Sequence, residues 1–245
     1  MSEKIEKMII LKIEEYLQEP NAAIVTALSE RGLVTLFASG ILKSQSKNRA
    51  NLQIGSICEV EYFQARINKK MNRLKKATNI ISLNYHDDFS IKFVIKMGLF
   101  LENFTHRCTE IFEAYEYSLN LYNRQFKESF DAQNSYVLLA YLTTYIVSKS
   151  LKYNGIQPNT DTCINCKSPS NLCDFNFKEG GFLCGNCSNK QRWTKELKCF
   201  YYLFKNFKTY ASICTYEVNK IIYNEMINHL IRNGIYINWE KLKKA

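Results

Sequence analysis

Short hydrophobic segments of strand length recur through the first third of the chain, and polar residues separate them. Short segments rich in β-branched and aromatic residues are separated by turn residues such as Pro20-Asn21 and Ile54-Gly55. The pattern predicts five strands: Met8–Ile13, Ala22–Ser29, Leu33–Ser39, Ser56–Arg66 and a run into Asn79–Leu83. Five such strands predict a small barrel, with Cys58, Val60 and Tyr62 on one face and Ile57, Glu59 and Glu61 on the other.

From about Asp88 the apolar residues recur three and four positions apart, which predicts helices. The first helical stretch carries Phe93, Met97, Phe100, Leu101 and Phe104, followed by Ile111, Tyr115, Leu119 and Tyr122. "YVLLAYLTTYIVSKSLKYNG" predicts a helix that stops at Gly155 and Pro158. "WTKELKCFYYLFKNFKTY", "TYEVNKIIYNEMINHLIRNG" and the tail "KLKKA" are also helical in pattern. The fold class is therefore α+β, with a barrel domain at 1–83 and a helical domain at 84–245 that carries a cysteine-rich insert at 160–190.

Charge changes this picture, because the formal net charge of +10 is unevenly distributed. Residues 1–83 hold 13 Lys and Arg against 8 Asp and Glu, residues 84–158 hold 7 against 8, and residues 159–245 hold 13 against 7. Basic ends around a slightly acidic middle indicate a surface for a polyanion, with nucleic acid as the first candidate. A solvated basic surface that favours solubility remains the alternative.

The chain has no apolar run long enough to span a membrane, and its first residues, "MSEKIEKMII", are too mixed in charge for a signal peptide. We therefore expect a cytoplasmic protein without membrane association. Thiols stay reduced in that compartment, so nine cysteines with two close pairs favour metal binding over disulfides.

Two C-x-x-C pairs, Cys163 with Cys166 and Cys184 with Cys187, are the strongest chemical signal. Each pair brings two thiolates to one side of a tight turn, and together they predict a tetrahedral site for one structural zinc ion. The residues between them predict a hairpin, with Phe175 and Phe177 on one strand and a turn at Glu179-Gly180-Gly181. The insert is therefore expected to be a Cys₄ zinc ribbon.

Other uses of these cysteines find less support. A redox pair would stand at the start of a helix in a thioredoxin-like βαβ unit, and neither pair has that context. A zinc deaminase would need the motif P-C-x-x-C, and no proline precedes either pair. Cys173 is expected to be a packed or exposed thiol rather than a ligand. His86, His106 and His229 are scattered and predict packing or surface roles, and no nucleotide-binding or hydrolase motif is present. We expect no catalytic residue.

Two basic segments of the barrel region are candidate DNA contacts. "RINKKMNRLKKA" predicts a hairpin between the last two strands, and its cations are Arg66, Lys69, Lys70, Arg73, Lys75 and Lys76. The longest barrel loop supplies Lys43, Lys47 and Arg49. Tyr62 and Phe63 are nearby aromatic residues that could stack on bases. The alternative is a solvated hairpin.

Three segments occur together in this order: "MIILKI", then "GLVTLFASGILKSQSKNRANLQIGSICEVEYF", then a helix ending in "LKYNGIQPNTDTCINC" that is followed by "FKEGGFLCGNC". In these segments the chain resembles the RecO family of bacterial recombination mediators. The resemblance implies an N-terminal OB-fold, a helical domain with a zinc ribbon, and no catalytic residues. It also implies binding of single- and double-stranded DNA, strand annealing, and work at the nucleoid with RecR and single-stranded-DNA-binding protein to load the RecA recombinase.

One segment departs from the family. The loop after Gly40 is usually denser in arginine, whereas here Ile41 and Leu42 precede Lys43. The segment from Arg66 to Lys76 could compensate. A zinc-ribbon accessory protein of transcription or translation and a zinc-dependent nucleic-acid enzyme are the remaining alternatives.

Overall fold

The structure, a computed structural model, describes residues 2–66, 71–83, 85, 88–128 and 132–235. These residues fall into two compact units, one within 1–130 and the other within 131–236. Lys69, Lys70 and His86, and the predicted tail helix at 241–245, lie outside the described residues.

The first unit is built on five strands that close into a barrel in the order β1-β2-β3-β5-β4. Neighbouring strands are antiparallel except β3 and β5, which run parallel over a short register. The strands are β1 Ser2–Glu15, β2 Ala23–Ser29, β3 Gly32–Ala38, β4 Ile57–Gln64 and β5 Asn72–Ile81. Two residue pairs, Leu36 with Asn72 and Phe37 with Arg73, close the barrel between β3 and β5.

Two strands begin earlier than the sequence pattern predicts. β1 starts at Ser2 because its first half pairs with β4, and β5 starts at Asn72 instead of near Asn79. Within this basic segment, Leu74 and Ala77 pack in the barrel core, whereas the cations are exposed. The segment is therefore an amphipathic strand. The last two strands do form a hairpin, but Arg73, Lys75 and Lys76 lie on its second strand, β5, and not in the connection between the strands.

Alternation along β4 places Cys58, Val60 and Tyr62 in the barrel core, as predicted. Tyr62 is only 4% exposed, so the prediction that it stacks on bases is wrong. Ile41 and Leu52 complete this core from either side of a short helix, α1 (Lys47–Asn51). Side chains thus fill the middle of the barrel, as expected for a barrel of this size.

Two helices of the same unit pack on the barrel: α2 (Asp88–Leu101) and α3 (Thr109–Glu128). The Tyr115 hydroxyl donates to the Gly55 carbonyl at 2.8 Å. Gly55 has a positive φ of 83°, and a Cβ there would lie 2.6 Å from a Val94 methyl, so glycine allows this close approach. The predicted boundary at residue 83 thus marks the change from strands to helices, while the compact unit extends to residue 130.

The second unit contains four helices and one hairpin. They are α4 Ala132–Tyr153, β6 Leu172–Asn176, β7 Gly181–Cys184, α5 Thr194–Lys205, α6 Phe207–Ile213 and α7 Tyr216–Arg232. α4 ends just before Gly155, whose φ of 70° suits a helix end, so the predicted stop is confirmed. In the described parts of the chain, no helix is long and apolar enough to cross a membrane.

Candidate metal centre and nucleic-acid interface

The four predicted ligand cysteines meet at one end of the β6-β7 hairpin. The sulfurs of Cys163, Cys166, Cys184 and Cys187 all lie within 4.8 Å of one another. The sulfurs of Cys166 and Cys184 are 3.5 Å apart. Zinc with Zn–S distances of about 2.3 Å would hold its four sulfurs about 3.8 Å apart. The cluster therefore has the size that a tetrahedral metal ion requires.

Tight turns present each pair of thiols on the same side. The Lys167 amide donates to the Cys163 carbonyl, and the Cys187 amide donates to the Cys184 carbonyl, both at 2.9 Å. The backbone N–H of Cys166 also donates to the Cys163 sulfur and lowers the pKa of that thiol to about 6, which outweighs the opposite effect of burial. Such a thiolate is suited to metal binding, and four sulfurs leave no open coordination position.

Cys173 is the fifth cysteine of the insert and lies outside this cluster. Its side chain is buried, its sulfur donates to the Lys190 carbonyl at 3.5 Å, and burial raises the pKa of its thiol. The four-cysteine cluster is the only group of this kind among the described residues.

Aromatic contacts attach the hairpin to the helices of its own unit. Phe175 stacks on Phe200 of α5, with ring centroids 4.1 Å apart, and Phe177 stacks on His229 of α7 at 5.1 Å. His229 also contacts the Ile156 carbonyl through Nε2 at 3.1 Å, which makes it a packing residue. The hairpin and its cysteines are therefore part of the helical core.

A second attachment runs through Arg192, which sequence reasoning did not single out for this role. Its Nε lies 3.2 Å from Asp174 of β6, and its terminal nitrogens lie 2.6 Å from Glu196 and 2.9 Å from Glu225. Its guanidinium also lies 5.2 Å from the Phe200 ring. Burial acts to lower the pKa of Arg192, but the bonds to Glu225 and Glu196 outweigh it and the pKa is raised.

On the outside of the barrel, side chains from three neighbouring strands form a row in which one cation lies between two aromatic rings. Arg73 of β5 pairs with Phe37 of β3 on one side and with Phe63 of β4 on the other. Arg73 is exposed and both phenylalanines are half-buried. Tyr16 and Phe37 make a T-shaped contact, with ring centroids 5.3 Å apart. We call Phe37, Arg73 and Phe63 the aromatic row. Phe37 was missed from the sequence, because only strand register places it beside Arg73.

The other predicted cations differ in their surroundings. Lys75 pairs with Glu3 and Glu61 at 2.5 and 3.2 Å, and Lys76 lies 3.5 Å from Glu61. Both lysines are partly neutralised by these acids. The exposed cations Lys43, Lys47, Arg49 and Arg66 have no ion pair within the described chain.

Helix α1 joins the two predicted basic groups. Asn48, between Lys47 and Arg49, donates to the Lys75 carbonyl at 3.3 Å and accepts from the Ala77 amide at 3.0 Å. The basic loop therefore lies against the basic strand β5. Two segments that are well separated in sequence form one continuous cationic region.

Comparison with known proteins agrees with this architecture. The family model "Recombination protein O C terminal" matches residues 105–198, which include the cysteine hairpin. The chain is 26% identical over 207 residues to a protein named DNA repair protein RecO from Bacillus velezensis, covering 79% of this chain and 75% of that one. It is 23% identical over 252 residues to the protein of the same name from Mesoplasma florum, covering 96% of this chain and 88% of that one.

Proposed function

Because the chain belongs to the RecO family, we propose that it is a recombinational DNA repair protein that binds single- and double-stranded DNA and anneals complementary strands. With RecR, it would help load the RecA recombinase onto DNA coated by single-stranded-DNA-binding protein. It would do so in the cytoplasm, at the nucleoid. The names of the relatives support the repair role, and the family resemblance supplies the partners.

The barrel is the proposed site of DNA binding. Its strand order, with β5 between β3 and β4, supports assignment as an OB-fold. OB-folds bind nucleic acid on the face of their second and third strands and with the loops beside it. The aromatic row includes this region of the barrel, because Phe37 lies on β3 and pairs with Ile24 of β2.

The aromatic row is the observation that carries this proposal. Single-strand-binding proteins combine cations that follow the phosphates with aromatic rings on which bases stack. Phe37 and Phe63 supply two rings separated by one strand, and Arg73 supplies a cation between them. The cationic region formed by α1 and β5 extends this surface for the phosphate backbone.

We assign the cysteine cluster to one structural Zn²⁺. Cys163, Cys166, Cys184 and Cys187 would hold it, and the ion would cross-link the two turns of the hairpin. A closed set of four thiolates offers no place for a reactive water, so the ion would have a structural role. The protein would act without catalysis, because annealing needs only that two strands be screened and brought together.

Fluorescence anisotropy with a labelled oligonucleotide tests the interface. Phe63→Ala should cost about 1–3 kcal/mol of binding free energy for each base that stacks on the ring. Arg73→Ala should weaken binding for all sequences and reduce the salt-dependence slope by about one. Arg124→Ala, an exposed arginine on α3 of the same unit, is the matched control and should bind like the native protein.

An annealing assay with two complementary strands then separates the functional classes. A mediator anneals them without altering a base or bond, a nucleic-acid enzyme changes the strands, and an accessory factor does neither. Binding that is insensitive to salt would refute the proposal, since each phosphate contact releases counterions. Unchanged binding in both row variants would place the interface elsewhere.

A further inference from the structure

The first strand carries charged residues where a barrel normally carries apolar ones. Along β1, Lys4 and Glu6 alternate in step with Met8 and Ile10, which are fully buried in the barrel. Lys4 pairs in register with Tyr62, and Glu6 with Val60. Interior positions of small barrels are usually filled by apolar side chains. One end of this barrel is therefore polar inside.

A cavity of about 440 Å³ lies at this polar end. Strand β1 contributes Lys4 and Glu6 to it, the β2-β3 turn contributes Arg31, and β4 contributes Tyr62 and Gln64. Arg31 has a side chain that is 73% exposed, which places it at the opening. Ligand sites in proteins typically have volumes of about 300–1,000 Å³, so one nucleoside would fit.

Glu6 is the feature that needs an explanation. Its side chain is only 17% exposed, and a carboxylate beside a DNA-binding face repels phosphates. Arg31 lies 3.2 Å from it, and Tyr62 lines the same cavity. Burial raises the pKa of Tyr62 to about 12, so this hydroxyl keeps its proton beside the carboxylate. A carboxylate can accept about four hydrogen bonds, so Glu6 can accept more.

The ligand chemistry follows from the donors and acceptors that face the cavity. Arg31 offsets the charge of Glu6, and Lys4 adds one positive charge without an acid partner in the described chain. A carboxylate selects adjacent N–H donors, and a nearby guanidinium or ammonium selects carbonyl and ring-nitrogen acceptors. Guanine presents both sets: the N1–H and N2–H donors, and the O6 and N7 acceptors. Thymine presents one N–H between two carbonyl oxygens, which a carboxylate disfavours.

We propose that this cavity holds one unpaired guanine base of a bound DNA strand, with Glu6 accepting from N1–H and N2–H, and Arg31 and Lys4 donating to its acceptors. The inference rests on the proposed DNA-binding function and adds a base preference to it. Phosphate contacts and stacking on the aromatic row are indifferent to sequence. The cavity is where the barrel would read a base edge.

Three labelled 15-nucleotide strands test this by anisotropy: oligo-dT, a TTG repeat, and the same repeat with inosine in place of guanine. A bidentate base contact gives about tenfold discrimination, so the guanine strand should bind about tenfold tighter than oligo-dT. Inosine lacks only the N2 amino group, so the affinity of the inosine strand should lie between those of the guanine strand and oligo-dT. Glu6→Gln should remove the preference, whereas Glu14→Gln, an exposed glutamate near the end of the same strand, should keep it.

The outcomes separate this inference from the proposed function. Equal, salt-dependent binding of all three strands by the native protein would overturn the guanine site and leave DNA binding intact. Binding of no strand would overturn both. A preference that persists in folded Glu6→Gln would also overturn the site. If that variant fails to fold, the inosine comparison on the native protein decides the matter without any substitution.

Discussion

Removing the Arg192 side chain should destabilise the helical unit strongly, while removing an equally well-paired lysine on the barrel should not. Arg192→Met keeps most of the side-chain volume and deletes the guanidinium. The buried carboxylate of Asp174, 6% exposed, then keeps two donors from the described residues, the Ser188 hydroxyl at 3.1 Å and the adjacent Phe175 amide. Glu196 and Glu225 lose their shared cation as well.

The magnitude follows from burial. Breaking a buried ion pair by removing one partner costs about 3–5 kcal/mol, and the partial exposure of this cluster reduces the expected loss to about 2–4 kcal/mol. Because about 1 kcal/mol lowers the melting temperature of a domain of about 100 residues by roughly 4–8 °C, the unit should melt at least about 8 °C lower. Lys75→Ala breaks two exposed ion pairs and should leave the melting temperature unchanged.

Scanning calorimetry of the full chain measures this effect. The transition of the helical unit can be identified as the one that Cys184→Ser shifts. Arg192→Lys keeps the charge but loses the bidentate bond to Glu225, so it should melt between the native protein and Arg192→Met. The difference should persist in high salt, since buried charges are weakly screened. We call Arg192 and its three carboxylate partners the Arg192 clamp. If Arg192→Met melts within about 2 °C of the native protein, this clamp has no energetic role.

Two further predictions concern the metal centre and the buried tyrosines. Cys184→Ser should lose the bound metal and unfold the hairpin, whereas Cys173→Ser should keep full metal stoichiometry in elemental analysis; a Cys173 variant without metal would contradict the ligand set. Burial raises the pKa of Tyr62 and of Tyr141 from 10 to about 12, so the folded state retains these protons. The stability that they contribute should be complete below pH 10 and lost as the pH rises toward 12, measured by denaturant titrations with tyrosinate absorbance; equal stability at pH 9 and pH 12 would contradict it.

The four-cysteine cluster could be predicted from the sequence because its geometry is local. Each C-x-x-C pair closes one turn, and the hairpin between them needs only a few residues with strand and turn preferences. The sequence could not predict the Arg192 clamp. It joins Asp174, Glu196 and Glu225 from three different elements, and only the packing of α5 and α7 on the hairpin brings them together.

The barrel shows the same limit. Short segments of β-branched and aromatic residues predicted most of its strands, but the lysines and arginine of β5 hid the inward positions of Leu74 and Ala77. The aromatic row depends on the parallel pairing of β3 with β5, two strands that are distant in sequence. Likewise, the packing of Tyr115 and Val94 on the barrel at Gly55 is a long-range contact. No local period encodes such contacts.

The distribution of partners among the cations decides which of them can bind phosphate. Lys75 would have to break its ion pairs with Glu3 and Glu61 before it could pair fully with a DNA phosphate. Breaking them would offset part of the binding free energy that the phosphate contact supplies. Arg73 has no acid partner in the described chain and lies between two rings that a base can cover. An arginine in that position can stack as well as pair, which lysine cannot do equally well. Affinity for single strands should therefore depend more on Arg73 than on Lys75 and Lys76, the two lysines that share its strand.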